Sequence, residues 1–396
     1  MTAVSIGVLA GYGILHLIFV IALDGCIRKG RGKDAVWRRI RWIWLLPYLA
    51  AAAIPAAVVF MPESDWSFRM QRFGNVFLAF DLHCIGLFFL GTLAYWLYRF
   101  IRYRQSDARL PLMGILLAFT AGFLVPVYGM YHAQQTVITR YEADLRTEGK
   151  EEKQLRIALT ADLHLGVNSH AEMIERMADL LNEQQPDLVV VAGDVFTSSY
   201  NALRTPEKYA EILRKIDAPM GVYAVYGNHD VEETLFGGFA VHPVSAAFRT
   251  SQIEQFFRDC GFTVLCDEVV PIADGRIRLA GRIDGNKAGD GTKKRLSPQE
   301  LLQDIPREEI TFVLEHEPVQ YQELQEAGAD LVMSGHTHGG QIIPGNYYVR
   351  LINENGYGQK NQYGMETFVT SGVGTFGPPM RTGTNSEIVI IDVRYS

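Results

Sequence analysis

Two histidines stand one residue apart at the end of an apolar run, in the stretch VMSGHTHGGQ. They are His336 and His338, and a glycine lies on either side of the pair. Glycine permits a sharp turn and lets the backbone approach a ligand closely, so this is an unusual place for imidazole rings that serve packing alone. The stretch fits a ligand site and, equally well, a surface turn with two solvated histidines, so the rest of the chain must decide between them.

Side chains of the kind that bind metals recur wherever an apolar, strand-like run ends in the second half of the chain. Five such runs are each followed closely by carboxylate, imidazole or amide side chains. The residues concerned are Asp162, His164, Asp194, Asn228, His229, His316, His336 and His338. Because ligands bind at the carboxyl ends of strands in α/β sheets, we expect these side chains to converge.

The mixture of ligand types indicates which metal the cluster would hold. Carboxylate oxygen with neutral imidazole suits manganese, iron or zinc better than magnesium or calcium, which prefer all-oxygen shells. Asp162 and His164 lie at i and i+2, as do His336 and His338, so each pair points to one side of an extended chain. The set without His229 has seven members, which is too many for one ion and fits two divalent ions that share a carboxylate.

A pair of divalent ions indicates a reaction at phosphorus. Such a pair lowers the pKa of a bridging water and clamps the attacking and leaving oxygens of an in-line displacement. His229, next to Asn228, is suitably placed to protonate the leaving group. For any single residue, a hydrogen-bonded cap at a strand end is a competing interpretation, but it does not explain the whole set.

The elements that must position these residues alternate between strand and helix from Leu155 onward. Strands are predicted at Leu155–Thr160, Asp187–Val191, Val222–Tyr226, Ile310–Leu314, Leu331–Met333 and Thr367–Thr370. Helices are predicted at Ala171–Gln184, Glu207–Ile216, Ile253–Cys260, Pro298–Asp304 and Gln320–Ala327. The alternation predicts an α/β domain with helices over a sheet core, and the number of strands suggests two stacked sheets. Two long loops, His229–Thr250 and Asp284–Arg295, are candidate flaps over a substrate.

The first 130 residues have a different character, because four apolar segments each reach the length of about 20 residues that a helix needs to span a bilayer. They are Ala3–Leu23, Trp42–Met61, Phe73–Tyr98 and Leu110–Met130, and Asp81 is the one charge inside them. We predict a transmembrane domain of four helices over residues 1–130, a linker over 131–154 with a possible strand at Thr136–Leu145, and a catalytic domain over 155–396.

Charge in the loops between these segments predicts their orientation. Basic residues number seven in Arg28–Arg41 and four in Arg99–Arg109, against two in Pro62–Arg72. The first and third loops are therefore expected in the cytoplasm. An even number of spans then places everything after Met130 outside, in a multi-pass protein of the cell (inner) membrane with an extracytoplasmic catalytic domain.

Three ionisable residues, His16, Asp81 and His83, lie inside the predicted spans. Groups at that depth are functional by default, unless they are paired or lie close to an interface. They are the whole basis for a transporter interpretation, and nothing in the chain has the inverted repeats typical of transporters. We therefore interpret the four helices as an anchor that also holds a lipid near the active site.

Net charge differs between the two parts of the chain. Residues 1–130 contain 13 Lys and Arg against 6 Asp and Glu, a net of +7, and the rest contains 24 against 38, a net of −14, which together make the −7 of the chain. An acidic catalytic part argues against a nucleic-acid groove, which needs clustered basic residues. Four cysteines provide no disulfide framework, and Cys260 and Cys266 would pair only if the local geometry brought them together.

The runs ADLHLG, AGDVF, YGNHD, LEHEP and SGHTHGGQ resemble, in this order, the signature of the calcineurin-like metallophosphoesterases, from Leu155 to the C-terminus. With the late segment SGVGTFGPPMRTGTNSEIVII they are most similar to a bacterial membrane-associated branch that carries phosphodiesterases. The resemblance implies a four-layer α/β/β/α sandwich and manganese, iron or zinc as the metal, with manganese first. It implies a first metal on Asp162, His164 and His338, a bridging Asp194, a second metal on Asn228, His316 and His336, and His229 as the catalytic residue.

The chain departs from the family pattern at one position that matters for His229. Many relatives have an aspartate three residues after the bridging one to orient the catalytic histidine, and here that residue is Thr197. Either His229 is less well oriented or Asp230 takes over. Arg381, in the late loop, is a candidate contact for the substrate phosphate, and an ordinary surface arginine is the alternative.

The preferred interpretation is a membrane-anchored, two-metal phosphoesterase that hydrolyses a phosphodiester, more than a monoester, in a lipid-linked or envelope substrate. One alternative is the UDP-2,3-diacylglucosamine pyrophosphate hydrolase of lipid A synthesis, whose substrate is expected in the cytoplasm. A second alternative is a non-catalytic metal-binding scaffold on a membrane bundle. The expected partners are a phospholipid membrane and a phosphoester, and no nucleic acid.

Overall fold

Long apolar segments in lipid must satisfy their backbone hydrogen bonds internally, and the N-terminal part of the chain does so as four helices. They are α1 (Ala3–Arg31), α2 (Ala35–Val58), α3 (Asp65–Arg102) and α4 (Arg109–His132). Each contains a segment long and apolar enough to cross a membrane. The four predicted spans are confirmed, and the chain is a membrane protein.

The computed structural model describes residues 3–31, 35–102, 109–145, 151–197, 199–240, 248–289 and 294–396. The loops Arg28–Arg41 and Arg99–Arg109, on which the orientation depends, lie partly outside these residues, as do the two candidate flaps. The chain forms two compact units: residues 1–131 with 234–242 and 377–380, and the remaining residues.

Asp81 in the helical unit is paired. Its Oδ1 accepts a hydrogen bond from the Tyr48 hydroxyl at 2.9 Å, and its Oδ2 lies 3.4 Å from His16 Nε2. The nearby core of this unit contains Phe19 and Phe88, whose rings meet edge to face with centroids 5.3 Å apart. The buried carboxylate thus accepts one hydrogen bond and lies within ion-pair distance of a histidine, as is usual for an ionisable group at membrane depth.

The second unit is built on two six-stranded sheets. In chain order the strands of the described residues are β1 (Thr136–Leu145), β2 (Lys153–Thr160), β3 (Leu188–Ala192), β4 (Val222–Val225), β5 (Leu235–Phe236), β6 (Phe239–Ala240), β7 (Thr263–Val264), β8 (Glu268–Ile272), β9 (Ile277–Gly281), β10 (Ile310–Leu314), β11 (Leu331–Ser334), β12 (Gly358–Gln362), β13 (Met365–Val369) and β14 (Ser386–Tyr395). One sheet has the order β1-β14-β2-β3-β4-β7 and the other β12-β13-β11-β10-β9-β8. The hairpin β5–β6 belongs to the first unit.

Helices cover the outer faces of the two sheets. They are α5 (Ala171–Glu183), α6 (Pro206–Leu213), α7 (Ser251–Asp259), α8 (Pro298–Leu302) and α9 (Tyr321–Ala327). A further helix, α10 (Gly345–Ile352), packs against the turn His338–Gly340. Alternation along β3 shows the layering, because Val189 and Val191 pack in the same core as α5, α6 and α7 whereas Val190 packs between the sheets with Phe312. On β10, Val313 packs in the other outer core, near Leu324 of α9. The predicted α/β fold, a four-layer α/β/β/α sandwich after four membrane helices, is confirmed.

β1 occupies the edge of the first sheet in the segment where the sequence suggests a linker. It pairs in parallel with β14 from Thr136 opposite Ser386 to Leu145 opposite Tyr395. Its bounds match the possible strand predicted there. Only three residues separate β1 from the end of α4, and His132 is fixed by its Nε2, 3.0 Å from Asn385 Oδ1.

Candidate metal centre

The loops after β2, β3, β4, β10 and β11 carry the predicted site residues. Within one sheet β2, β3 and β4 run parallel to one another, and within the other β10 and β11 do. Parallel strands present their carboxyl ends at one edge, so the loops of each sheet gather there. The two edges meet, because His316 after β10 lies with its Nε2 3.1 Å from Asp194 Oδ2 after β3. All seven predicted ligands lie in this place.

Asp162, His164 and His338 form the first group of possible metal ligands. The Nε2 atoms of His164 and His338 are 2.9 Å apart, and Asp162 Oδ1 lies 3.5 Å from His338 Nε2 and 4.0 Å from His164 Nε2. All three residues are buried. Two imidazole nitrogens and a carboxylate that face one another fit a transition-metal ion.

Asp194, His316 and His336 form the second group, and Asn228 joins it. The Asn228 Oδ1 oxygen lies 3.0 Å from His316 Nε2 and 2.9 Å from His336 Nδ1. His316 is oriented from behind, since its Nδ1 donates to the Ala192 carbonyl at 2.7 Å. A hydrogen bond of this kind fixes the ring and leaves Nε2 for a ligand.

The backbone at this centre adopts conformations that most side chains avoid. Five of the seven predicted ligands have a positive φ, and they are Asp162 (54°), His164 (47°), Asp194 (52°), His336 (71°) and His338 (51°). Such conformations are uncommon outside glycine and persist where surrounding contacts enforce them, often at functional sites. Here the His164 N–H donates to the Asp194 carbonyl at 3.1 Å, which ties two of these residues together.

Glycines allow the ligand loops to approach one another. A Cβ on Gly227 would lie 2.2 Å from Asp194 Oδ1, and one on Gly335 would lie 2.7 Å from Asp162 Oδ2. Any side chain at these two positions would displace a carboxylate of the centre. The glycines beside the polar runs are thus explained by the space that the carboxylates occupy.

Burial shifts the pKa values of the histidines and of the carboxylates at this centre in opposite directions. It lowers the pKa of His164 and of His336 to about 3 and raises the pKa of Asp162 to about 7. Burial also opposes ionisation of Asp194 and His316, but their mutual attraction holds the pKa of Asp194 well below and that of His316 well above the ordinary values. The imidazoles of His164 and His336, which burial keeps neutral, and the buried carboxylates beside them are suitable ligands for divalent cations.

His229 lies next to the second group and is held on two sides. Its backbone N–H donates to Asp194 Oδ1 at 2.7 Å, and its Nδ1 lies 3.0 Å from Glu233 Oε2. Its ring packs against Phe376 with centroids 4.5 Å apart and lies 5.5 Å from the ring of His164. With Nδ1 engaged by Glu233, Nε2 is the nitrogen left to exchange a proton with a substrate.

Glu233 occupies the role for which the sequence suggested Asp230. Asp230 instead accepts from the backbone N–H of Phe196 at 2.9 Å and of Gly227 at 2.8 Å, so it joins the loops after β3 and β4. Burial opposes ionisation of Glu233, but His229 and Lys287, whose ammonium group contacts the carboxylate, lower the pKa of Glu233. Three acidic residues follow His229 within four positions, and only the fold distinguishes among them.

Arg381 has a different role from the substrate contact that the sequence suggested. Its side chain is buried with 0% exposed surface. The Nη2 group donates to the carbonyl oxygens of Ser371, Gly372 and Gly374 at 2.6 to 3.1 Å and lies 3.4 Å from His338 Nδ1. The guanidinium therefore holds the late loop behind His338 and is committed to carbonyl groups.

Replacing Glu233 by Gln should lower kcat for a phosphoester with a poor leaving group by about 10- to 100-fold, the range found when a group that orients a site residue is removed. The amide keeps the shape of the side chain but loses the charge that faces His229. The measurement is steady-state kinetics with an alkyl and a nitrophenyl diester. Glu232→Gln is the matched control, because Glu232 Oε1 accepts from the Tyr200 N–H at 3.1 Å, away from His229. Equal losses in the two variants would contradict the assignment.

Residues 155–340 match the family model described as calcineurin-like phosphoesterase. With the fold and the two ligand groups in place, this part of the chain is a calcineurin-like metallophosphoesterase domain, and the resemblance seen in the sequence is confirmed.

Two relatives of this chain have names that include a metallophosphoesterase. An "Uncharacterized metallophosphoesterase" of Aquifex aeolicus is 29% identical over 276 residues, which cover 69% of this chain and 98% of that protein. A "Transmembrane protein with metallophosphoesterase domain" of Danio rerio is 28% identical over 291 residues, which cover 71% of this chain and 63% of that protein. The matches span less than two thirds of several relatives, the fish protein included.

Among solved structures, a dimetal phosphatase from Danio rerio superposes with a TM-score of 0.33 at 11% identity, over 55% of this chain and 88% of that one. A likeness at this level carries no argument about substrate or mechanism.

Proposed function

We propose that this protein is a membrane-anchored phosphoesterase that uses two divalent metal ions to hydrolyse a phosphodiester. The observation that carries the proposal is the position of Asp194. Its Oδ2 lies 3.1 Å from His316 Nε2 in the second group and 3.8 Å from His164 Nε2 in the first. One carboxylate oxygen between two sets of nitrogen donors is what a ligand shared by two ions requires.

The two groups would hold the ions in a defined way. The first ion would take Asp162, His164 and His338, the second Asn228, His316 and His336, and Asp194 would be common to both. Manganese is the metal we propose, with iron or zinc as alternatives, because the donors mix imidazole nitrogen with carboxylate and amide oxygen. When bound, the pair supplies an acidified water as nucleophile and neutralises charge on the phosphoryl oxygens.

Side chains of the protein would supply the proton for the leaving group and orient the residue that donates it. His229 would protonate the leaving oxygen from Nε2, while Glu233 balances the charge of the ring and fixes its orientation through Nδ1. Phe376 packs against the rings of His229 and His164, with centroids 4.5 and 5.5 Å away, and limits the water that reaches them. Arg381 would hold the loop of residues 371–374 in place behind His338.

The membrane anchor supports a substrate in or near the bilayer. Four spans confine the active site to the membrane surface, where lipid-linked phosphodiesters are concentrated and soluble esters gain nothing from the anchor. The basic first and third loops support a cell-membrane location with the catalytic domain on the extracytoplasmic side. A reporter fused after Ser396 tests this orientation, and a cytoplasmic signal would favour a substrate made inside the cell.

The test of the function uses the full-length, manganese-loaded protein in detergent with bis(p-nitrophenyl) phosphate and p-nitrophenyl phosphate. We expect kcat/KM for the diester to exceed that for the monoester by about tenfold or more, the kind of ratio by which an enzyme discriminates substrates. Extracted envelope lipids, compared by mass spectrometry before and after incubation, would show the class of natural substrate. Faster monoester hydrolysis would overturn the diester assignment, and two bound ions with no hydrolysis of either ester or of lipid would favour the non-catalytic scaffold.

A further inference from the structure

Helix α10 turns its apolar side chains outward. Tyr347, Tyr348, Leu351 and Ile352 have 70%, 62%, 83% and 57% of their surface exposed, and Ile343 just before the helix has 53%. We call these five residues the α10 patch. A helix in a water-soluble domain normally buries its apolar face, whereas α10 has no buried residue. An exposed apolar patch of this kind marks an interaction site.

The α10 patch forms one continuous face of the helix. Its residues follow helical spacing, and the opposite side of the helix packs against other parts of the domain. Residues 347, 348, 351 and 352 follow the i, i+1, i+4, i+5 pattern of a single face. On the opposite side, a Cβ on Gly340 would lie 2.2 Å from the backbone N of Asn346, and one on Gly356 would lie 2.6 Å from the Val349 carbonyl oxygen. The backbone of α10 therefore packs so closely on Gly340 and Gly356 that no side chain fits at either position, and this side of the helix is occupied.

Other features of the chain favour a lipid bilayer as the occupant of the α10 patch. The chain is a membrane protein, and only three residues separate the spanning segment Met113–His132 from β1 of the catalytic domain. The domain is therefore covalently confined close to a bilayer surface at all times. Eight residues make a helix of about 12 Å, which is too short to span a membrane and suits the interfacial plane.

The residue types also match an interfacial helix. Tyrosine is enriched where the headgroups meet the acyl chains, since its ring is apolar and its hydroxyl is polar. Leu351 and Ile352 would enter the acyl region, and the exposed Arg350 in the last turn would remain among lipid phosphates. A protein partner would need no such gradient from aliphatic to aromatic to basic side chains.

We propose that α10 inserts its patch into the headgroup and acyl boundary of the bilayer. The helix begins five residues after Gly340, the last residue of the turn His338–Gly340, and packs against that turn. Insertion would therefore hold a proposed metal ligand, His338, at the lipid surface. This consequence rests on the proposed function and narrows its substrate to a phosphodiester in the membrane, while the insertion itself does not depend on catalysis.

The experiment measures bilayer contact directly. A spin label is placed at Leu351 in the full chain, after its four cysteines are replaced by alanine, and the protein is reconstituted in nanodiscs of phosphatidylethanolamine and phosphatidylglycerol. We expect the label to be relaxed at least threefold more by oxygen, which partitions into lipid, than by a water-soluble nickel chelate. Gln322 is the matched control site, because it is exposed on the helix α9 and should show the reverse preference.

Each outcome of this experiment decides the proposal. Equal relaxation at positions 351 and 322 would overturn it, and so would a label at 351 shielded from both reagents, which would point to a protein or a second copy of this chain. A second variant, Leu351→Glu, should lower oxygen relaxation of a label at Tyr348 without lowering Tm in detergent. An unchanged signal at Tyr348 would also overturn the insertion. Because no arm depends on hydrolysis, failure of the phosphodiesterase proposal would be visible separately.

Discussion

Asp194→Asn should bind about one manganese ion per chain in place of two and lose phosphodiesterase activity by on the order of 10³-fold or more. An amide carries no negative charge to share between the groups of His164 and His316, so one ion loses a ligand and its charge balance. A loss of 10³ corresponds to about 4 kcal/mol of transition-state stabilisation, a reasonable effect for an ion that contacts the reacting oxygens. Metal content by mass spectrometry and kcat/KM with bis(p-nitrophenyl) phosphate measure the two effects.

A matched control shows that the effect belongs to the centre. Asp392→Asn makes the same chemical change on β14, where the carboxylate pairs with Arg156 Nε at 2.7 Å on a partly exposed surface. That variant should keep two ions and nearly full activity, because an exposed ion pair contributes about 0 to 1 kcal/mol. If Asp194→Asn retained two ions and wild-type turnover, Asp194 would not be the shared ligand and the proposed dinuclear centre would fail.

The strands that lead into the site, and the polar residues after them, could be predicted from local pattern alone, whereas β7, β8, β9, β12 and β14 were not predicted. β2, β3, β10 and β11 are short apolar runs with β-branched residues, and each ends at a carboxylate, imidazole or serine that interrupts the run. Parallel pairing then brings those ends to a common edge, whatever the order of the strands. For this reason the sequence alone identifies the seven ligand candidates.

The partners of His229 could not be predicted in the same way. Lys287 reaches Glu233 across 54 positions of sequence, from a loop with no periodic pattern. The three acidic residues after His229 are chemically alike, and they are Asp230, Glu232 and Glu233. Because they lie in a turn rather than in a helix or strand, no periodic pattern predicts which of them faces the His229 ring. Arg381 was misleading for a related reason, since burial of an arginine among carbonyl groups depends on how a distant loop folds over it.

The α10 patch shows a second property that sequence pattern does not predict, namely which side of an amphipathic helix is buried. The letters GNYYVRLI read as a short amphipathic segment, and pattern alone assigns its apolar side to the core. In the structure the apolar side is turned outward, because the turn His338–Gly340 packs against the other side of the helix. Amphipathic period thus predicts that a helix has two faces, while only packing shows which face is turned outward.

His229→Ala should slow hydrolysis of a diester with an alkyl leaving group by about 10² to 10⁴-fold, the usual contribution of a general acid. With a nitrophenyl leaving group the loss should be about tenfold or less, because nitrophenolate departs without a proton. The contact to Asp194 survives in this variant, since it is the backbone N–H of residue 229 that donates to Asp194 Oδ1. The substitution therefore removes the imidazole and leaves the metal ligands in place, which manganese content would verify.

The ratio between the two substrates separates proton transfer from a structural role. If His229 only shaped the pocket through its contact with Phe376, both esters would slow by the same factor. His170→Ala, at the start of α5 and outside the site, is the matched control and should change neither rate. Glu233→Gln should fall between wild type and His229→Ala, with the same dependence on the leaving group, because Glu233 acts through the ring it orients. A loss that ignores the leaving group in both variants would assign the proton to a different residue.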